Sequence, residues 1–339
     1  MPSSKKLISP LSTVLFIAAI FAVYASPAGA ATTCKPASNI EAIIDDSGSM
    51  GVTDRDANRS EAIKLLISKS GNSGKTLGAV EFGSDQSYLT PPIGAAVTLF
   101  GPLPIGANAV AMNTALTNSL KADNGATDYN AAFSLGKTDN PSADARIFIT
   151  DGGHNSGEYT NGHQGGPPTY VLGLGIGPAS ATNLDATRLE TIAKETGGTY
   201  YPDVNTGNIA ATVNKVDAAL NCQQVAKTFT DTFNKVGQTK SKVVAIGSNT
   251  PSADLTLTWA SPLDQFSISS ISLKTASGAT ISIAKKRLKI KRSSGKTFVN
   301  ANIKGLKRGK LRFKLKVKKL GSNTLAGVNL TTQAIPRRR

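Results

Sequence analysis

Cysteine, histidine, long apolar runs and, in the last third, acidic residues are all scarce in this chain of 339 residues. Two cysteines, Cys34 and Cys222, are too few to build a cysteine-based metal site. The two histidines, His154 and His163, have no Ser or Cys neighbour in a strained elbow, and no HExxH or paired-carboxylate motif occurs. Nucleophilic and metalloprotease chemistry therefore lack their residues, and the chain is expected not to be an enzyme. The one apolar run, "VLFIAAIFAVY" at Val14 to Tyr24, has eleven residues, too few to cross a bilayer.

That run has the setting of an export signal. Lys5 and Lys6 precede it and Ala28-Gly29-Ala30 follows as an A-x-A cleavage site, so residues 1–30 read as a leader cut before Ala31. The alternative is an uncleaved anchor. An exported chain belongs outside the cell or on its envelope, where disulfides persist. Cys34 and Cys222 are expected to pair and close a loop of nearly 190 residues, worth roughly 5 kcal/mol by chain entropy. The alternative is two separate buried thiols.

Charge divides the chain at Cys222. Residues 31–222 carry 12 Lys and Arg against 19 Asp and Glu, whereas residues 223–339 carry 24 against 3. Two regions with different electrostatic tasks are expected, with bounds 31–222 and 223–339.

Periodicity supports the same division. Between the cysteines, strands expected at Ile40 to Ile44, Leu77 to Phe82, Ala95 to Phe100, Arg146 to Thr150, Tyr170 to Gly175 and Thr199 to Tyr201 alternate with helices. The helices are Ser60 to Ser68, Ala107 to Ala122, Tyr129 to Leu135, Asn183 to Thr196 and Ile209 to Leu220. In the fourth, Leu184, Leu189, Ile192 and Ala193 form an apolar stripe broken only by Arg188, and Gly197-Gly198 supplies a left-handed stop. This alternation predicts an α/β fold, a doubly wound and mostly parallel sheet covered on both faces, with ligands at the carboxyl ends of its strands. After Gln223 the period becomes two, as in Leu311, Phe313, Leu315 and Val317 against Arg312, Lys314, Lys316 and Lys318. Similar runs at Leu255 to Trp259, Phe266 to Leu273, Leu288 to Lys291 and Phe298 to Ile303 predict a smaller antiparallel sandwich. Turns at Ser293 to Lys296 and Lys307 to Gly309 are expected to join neighbouring strands.

One strand end is crowded with oxygen. In "AIIDDSGSM", Asp45, Ser47 and Ser49 stand at i, i+2 and i+4 on a turn that Gly48 permits, so alternate side chains can face one point. Carboxylate and hydroxyl oxygens at one point suit a hard cation such as Mg²⁺. Asp151 ends the apolar strand "RIFIT", and Thr127-Asp128 lies in the loop "NGATDYN" before a helix. The alternative for the first loop is a helix cap and turn cluster, which also favours Ser and Asp.

The motifs D-x-S-G-S, G-x-T-D ("GATD") and T-D-G ("ITDGG") resemble, in order and spacing, the metal-ion-dependent adhesion site of the von Willebrand factor type A domain, over about residues 38–220. The resemblance implies a Rossmann-like fold in which Ser47, Ser49 and Thr127 contact Mg²⁺ or Mn²⁺ directly, while Asp45 and Asp151 act largely through bound water. One coordination position would be left for a carboxylate supplied by a partner. Asp46, Gly48, Asp128 and His154 are expected to border the metal or the rim of the ligand site. A disulfide joining the ends of the domain also resembles some members.

Other signals carry less. "GLGIG" at Gly173 to Gly177 lacks the third glycine of a dinucleotide fingerprint and reads as a tight strand exit before Pro178. His154 and His163 sit in a Gly-rich segment read as a solvated loop. Asp54 and Asp56 are expected to favour the N-terminus of the helix that follows. The basic region either attracts polyanions, such as wall polymers or acidic polysaccharide, or uses Lys to stay soluble and to block edge pairing. Dedicated nucleic-acid binding is not expected, because its Lys-rich run lacks interleaved exposed aromatics for base stacking and the expected address is extracellular. The overall expectation is a secreted or envelope-associated adhesion protein that binds an acidic side chain of a protein partner through the metal. No sorting motif follows the basic module, so surface retention is expected to be non-covalent. The second reading is a scaffold subunit of a surface complex in which the metal only orders the loop.

Overall fold

A computed structural model describes residues 34–83, 96–120, 125–160, 166–283, 288–321 and 326–335. The expected leader and His163 lie outside the described residues. Residues from Lys35 onward form one compact unit.

The first half alternates strand and helix as its periodicity requires. In chain order it runs β1 (Asn39–Asp45), α1 (Met50–Thr53), α2 (Asn58–Ser68), β2 (Thr76–Phe82), β3 (Ala96–Pro104), α3 (Ile105–Ser119), α4 (Tyr129–Asp139), β4 (Ala145–Thr150), β5 (Thr169–Leu174), α5 (Leu184–Thr196), β6 (Thr199–Val204) and α6 (Ile209–Leu220). The strands form one sheet in the order β3-β2-β1-β4-β5-β6. All neighbours are parallel except β3, which pairs antiparallel with β2 at one edge. Connectivity reverses between β1 and β4, so this is the doubly wound arrangement the sequence predicts, with its switch point between those two strands.

Period-two alternation along β1 fills both faces. Ile40, Ala42 and Ile44 join the core under α2, α3 and α6, while Ile43 joins Phe82, Phe133 and Phe148 under α4 and α5. Helix α5 stops as expected, with Gly197 left-handed at φ +75°. Its stripe is narrower than expected: Ala186, Leu189, Ile192 and Ala193 are buried, but Leu184, the first residue of the helix, is 71% exposed. "GLGIG" is a strand exit, with Gly175 at φ +69° just after β5.

The second half is all β: β7 (Gln224–Phe233), β8 (Thr239–Ile246), β9 (Ser252–Trp259), β10 (Gln265–Thr275), β11 (Thr280–Ser282), β12 (Lys289–Ser294), β13 (Phe298–Lys304), β14 (Gly309–Lys319) and β15 (Ala326–Ile335). Two antiparallel sheets, β11-β10-β14-β8 and β12-β13-β9-β15-β7, share one core that includes Trp259, Phe266, Leu311, Phe313 and Leu315. The turn at Ser293 to Lys296 joins the paired strands β12 and β13 as expected. The turn at Lys307 to Gly309 does not join neighbours, because β13 and β14 belong to different sheets. It carries the chain across the sandwich.

The two halves are fastened through α2 and α6. Phe298 of β13 lies in the core of the first half. Glu61 accepts a hydrogen bond from the Lys296 backbone at 2.8 Å, and the Thr256 hydroxyl reaches Asn214 of α6 at 3.3 Å. Beneath lies a buried ion pair, Lys69 to Asp217 at 2.8 Å, with Lys69 also donating to Asn214. Cys34 and Cys222 are disulfide-bonded, and no cysteine is free.

Candidate metal centre

The doubly wound sheet ends β1 and β4 side by side, which brings Asp45 and Asp151 to one edge. Asp45 closes β1 and is fully buried. Its Oδ1 accepts the Ser47 backbone N–H at 2.9 Å, and its Oδ2 accepts the Thr150 hydroxyl at 2.6 Å. The first bond bends the chain into a turn and aims the hydroxyls of Ser47 and Ser49 to the same side, where their oxygens lie 3.1 Å apart. Ser49 in turn donates to Asp151 Oδ1 at 2.7 Å.

The turn of the cap-and-turn reading is present, closed by Asp45, but the side-chain cap is not. Ser49 occupies the N-cap position of α1, yet its side chain makes no cap hydrogen bond. It reaches across to Asp151 instead.

Thr127 arrives from the loop before α4. Its backbone N–H is held by Asn155 Oδ1 at 2.7 Å, and its carbonyl takes the Asn155 N–H at 3.0 Å. A Cβ placed on Gly152 would stand 3.8 Å from the Thr127 hydroxyl and 4.0 Å from that of Ser49, so both hydroxyls flank this glycine. The adjoining Tyr129 anchors the loop: its ring packs edge-on to Phe148 at 5.0 Å and its hydroxyl donates to the Gly152 carbonyl. The five residues expected as ligands are thus gathered at one strand edge.

The expected rim residues divide. Gly48 is tied to the Gly125 carbonyl at 3.3 Å and holds the first two loops together. Asp128 caps α4, accepting the Ala131 N–H at 3.1 Å. Asp46, expected to border the metal or the rim, is buried and ion-paired with Arg59 of α2. His154 is not solvated either. Its side chain is 2% exposed, and its Nδ1 accepts the Tyr129 N–H at 3.1 Å, which leaves the proton on Nε2. Asp54 favours the start of α2 as expected, accepting the N–H groups of Asn58 and Arg59 at 2.7 and 2.9 Å.

Three contributors escaped the sequence reading. Arg59 pairs with Asp46 and Asp54 and locks the loop after β1 to α2. Thr150 and Asn155 hold Asp45 and Thr127. Only Thr150 had a local signal, being the first letter of "TDG".

Electrostatics favour a cation here. Burial pushes the Asp45 carboxyl up to about 6; the hydrogen bonds from Ser47 and Thr150 hold it back, and the nearby Asp151 charge adds to the rise. Asp151 Oδ2 is buried with no hydrogen-bond partner among the described residues. Two neighbouring carboxylates, one with an orphaned oxygen, fit a positive ion, which would relieve both penalties. Three hydroxyls and two carboxylates form a hard donor set, and among the described residues no group of three or more His, Cys, Asp or Glu is placed to hold a metal ion.

No protein-family model matches the chain, and no curated protein matches it. Among solved structures it is similar to a von Willebrand factor type A protein from Catenulispora acidiphila, 17% identical over 84% of this chain and 59% of that one, with a TM-score of 0.42. It is similar also to proximal thread matrix protein 1 from the mussel byssus with a zinc-occupied MIDAS motif, 16% identical over 60% of this chain and 51% of that one, with a TM-score of 0.41. A pilus adhesin from Lactobacillus rhamnosus GG is 13% identical over 82% of this chain and 39% of that one, with a TM-score of 0.40. The alignments thus span between about two fifths and three fifths of those proteins.

Proposed function

We propose that this protein is an extracellular or envelope-associated adhesion protein, a binder rather than an enzyme, that engages an acidic side chain of a protein partner through Mg²⁺ or Mn²⁺. The observation that carries this reading is the convergence of Ser47, Ser49, Thr127, Asp45 and Asp151 from three separate loops at the switch point of the sheet. Ser47, Ser49 and Thr127 would hold the ion, with Asp45 and Asp151 supplying the balancing charge. The bound ion would supply a Lewis-acidic position for a carboxylate oxygen. Around it the chain contributes a rigid floor, because Asp45, Ser47 and Thr127 are almost wholly buried, and an apolar rim contact at Val52, which is 84% exposed.

A hard cation in so dry a setting gives a charge-assisted contact of high specificity. The experiment is binding of residues 31–339 to envelope and matrix fractions in Mg²⁺ and in EDTA, with Ser47→Ala/Ser49→Ala alongside. Adhesion predicts binding in Mg²⁺ that is lost in EDTA and in the double variant. Undiminished binding in EDTA would overturn it. The near-complete burial of three of the five donors also suits the scaffold reading, in which the ion orders the loop; a Ser49→Ala protein that loses stability yet still binds would favour it.

A further inference from the structure

The basic half poses a question that the metal site leaves unanswered. Strand β14 turns Leu311, Phe313, Leu315 and Val317 into the sandwich core and so turns Lys310, Arg312, Lys314, Lys316 and Lys318 outward. Blocking edge-to-edge pairing does not explain these cations, because β14 is an interior strand flanked by β10 and β8. Apart from Lys274 and the exposed Val243, the same face of those neighbours is small or hydroxylated. In register with the cations lie Ser272, Ser269 and Ser267 of β10 and Val243, Ser241 and Thr239 of β8.

No acid of its own half pairs with this column among the described residues. The region 223–339 has three, Asp231, Asp254 and Asp264. Asp231 is paired with Lys240 and Lys242 from the inward side of β8. Asp254 and Asp264 are buried and accept hydrogen bonds from Asn302 and from the Gly321 backbone. Mixed charges would serve solubility; a one-sign column on a central strand raises self-repulsion instead. At about 6.8 Å between alternate residues, it runs about 27 Å along the strand.

The column ends in a cavity of about 400 Å³. Ile246 and Ala276 contribute apolar wall, and Lys274, Arg308, Lys310 and Arg312 surround it. Lys274 and Lys310 are direct cross-strand partners, a repulsive pairing that a bound anion would relieve. The cavity is of the size that takes a small ligand or one end of a chain.

We propose that the outer face of β10, β14 and β8 binds a linear acidic polysaccharide, with the cavity receiving one anionic sugar unit and the β14 column tracking the chain. Charge complementarity selects a polyanion. The lack of aromatic side chains on the face disfavours stacked bases, and its row of Ser and Thr hydroxyls matches sugar hydroxyls and carboxylates. The inference is independent of the metal centre.

The test measures binding of residues 31–339 to short oligogalacturonate, with neutral dextran, single-stranded DNA and anionic lipid vesicles as competitors. Two charge-matched variants separate this face from diffuse charge: Lys310→Ser/Arg312→Ser/Lys314→Ser, and Lys289→Ser/Lys291→Ser/Lys304→Ser on the other sheet. The expected result is salt-sensitive binding to oligogalacturonate, unchanged by EDTA or by Ser49→Ala. It should weaken by roughly a hundredfold in the first variant and stay near wild type in the second. Thermal melts confirm that both variants fold. Absence of binding, equal loss in both variants, or tighter binding to DNA or vesicles would overturn the proposal.

Discussion

Ser49 shows how one side chain can decide between two readings of a loop. Its hydroxyl does not cap α1 but bonds to Asp151 at 2.7 Å, and so joins two parts of the chain about a hundred residues apart. The donors themselves were legible because each sits beside a strand or helix end that the apolar pattern announces. Arg59 was not, since nothing local says that a basic residue on α2 will be buried against Asp46 and Asp54. Arg59→Ala should remove the ion pair to both carboxylates and lower stability by about 3–5 kcal/mol in urea unfolding. Glu41 gives a pH-dependent prediction away from the metal. Burial pushes its carboxyl up to about 8; the Asn140 amide and the Arg146 guanidinium hold it back, and Asp139 adds to the rise. The folded state therefore holds a proton that the unfolded chain releases near its ordinary value. Stability is greatest below about pH 4.3 as far as this group is concerned and falls as pH rises through 8, by at most about 1.4 kcal/mol per pH unit. Glu41→Gln should flatten that slope; an unchanged slope would assign it elsewhere.

At the scale of elements, period alone located every strand and long helix of the first half to within a few residues, most clearly β1, β4 and β5, whose buried parallel strands are nearly continuous apolar runs. It missed α1, a single turn with no room for a repeat, and four strands of the sandwich. Strand β7 turns Phe229, Asp231 and Phe233 to one side, and β8 starts its inward set with Lys240 and Lys242. A charge cluster satisfied across strands breaks the alternation that reveals them. Strands β11 and β15 are, respectively, three residues long and mostly polar. Loop contacts were equally invisible. Gly83, just after β2, has φ +91°, and a Cβ there would sit 2.5 Å from the Ser47 backbone nitrogen. Gly83→Ala should therefore destabilise the fold by about 2 kcal/mol and weaken metal affinity with it, although no donor is altered. Calorimetric melts with and without Mg²⁺ would separate the two effects.

Across the whole molecule, composition marked the division at Cys222 but not how the halves are joined. Phe298 fills the first core from the second half, and the Lys69–Asp217 pair is buried beneath their junction. Residues 31–222 alone should expose that pocket and melt below the full chain; an equal melting temperature would make the junction energetically idle. Reducing the disulfide should lower stability by up to about 5 kcal/mol, from the long loop it closes. The central claim remains the metal. Isothermal titration of Mg²⁺ into residues 31–339 and into Ser47→Ala/Ser49→Ala tests it most directly: the account predicts one saturable site in the native protein and none in the variant, and identical heats in both, or no binding in either, would contradict it.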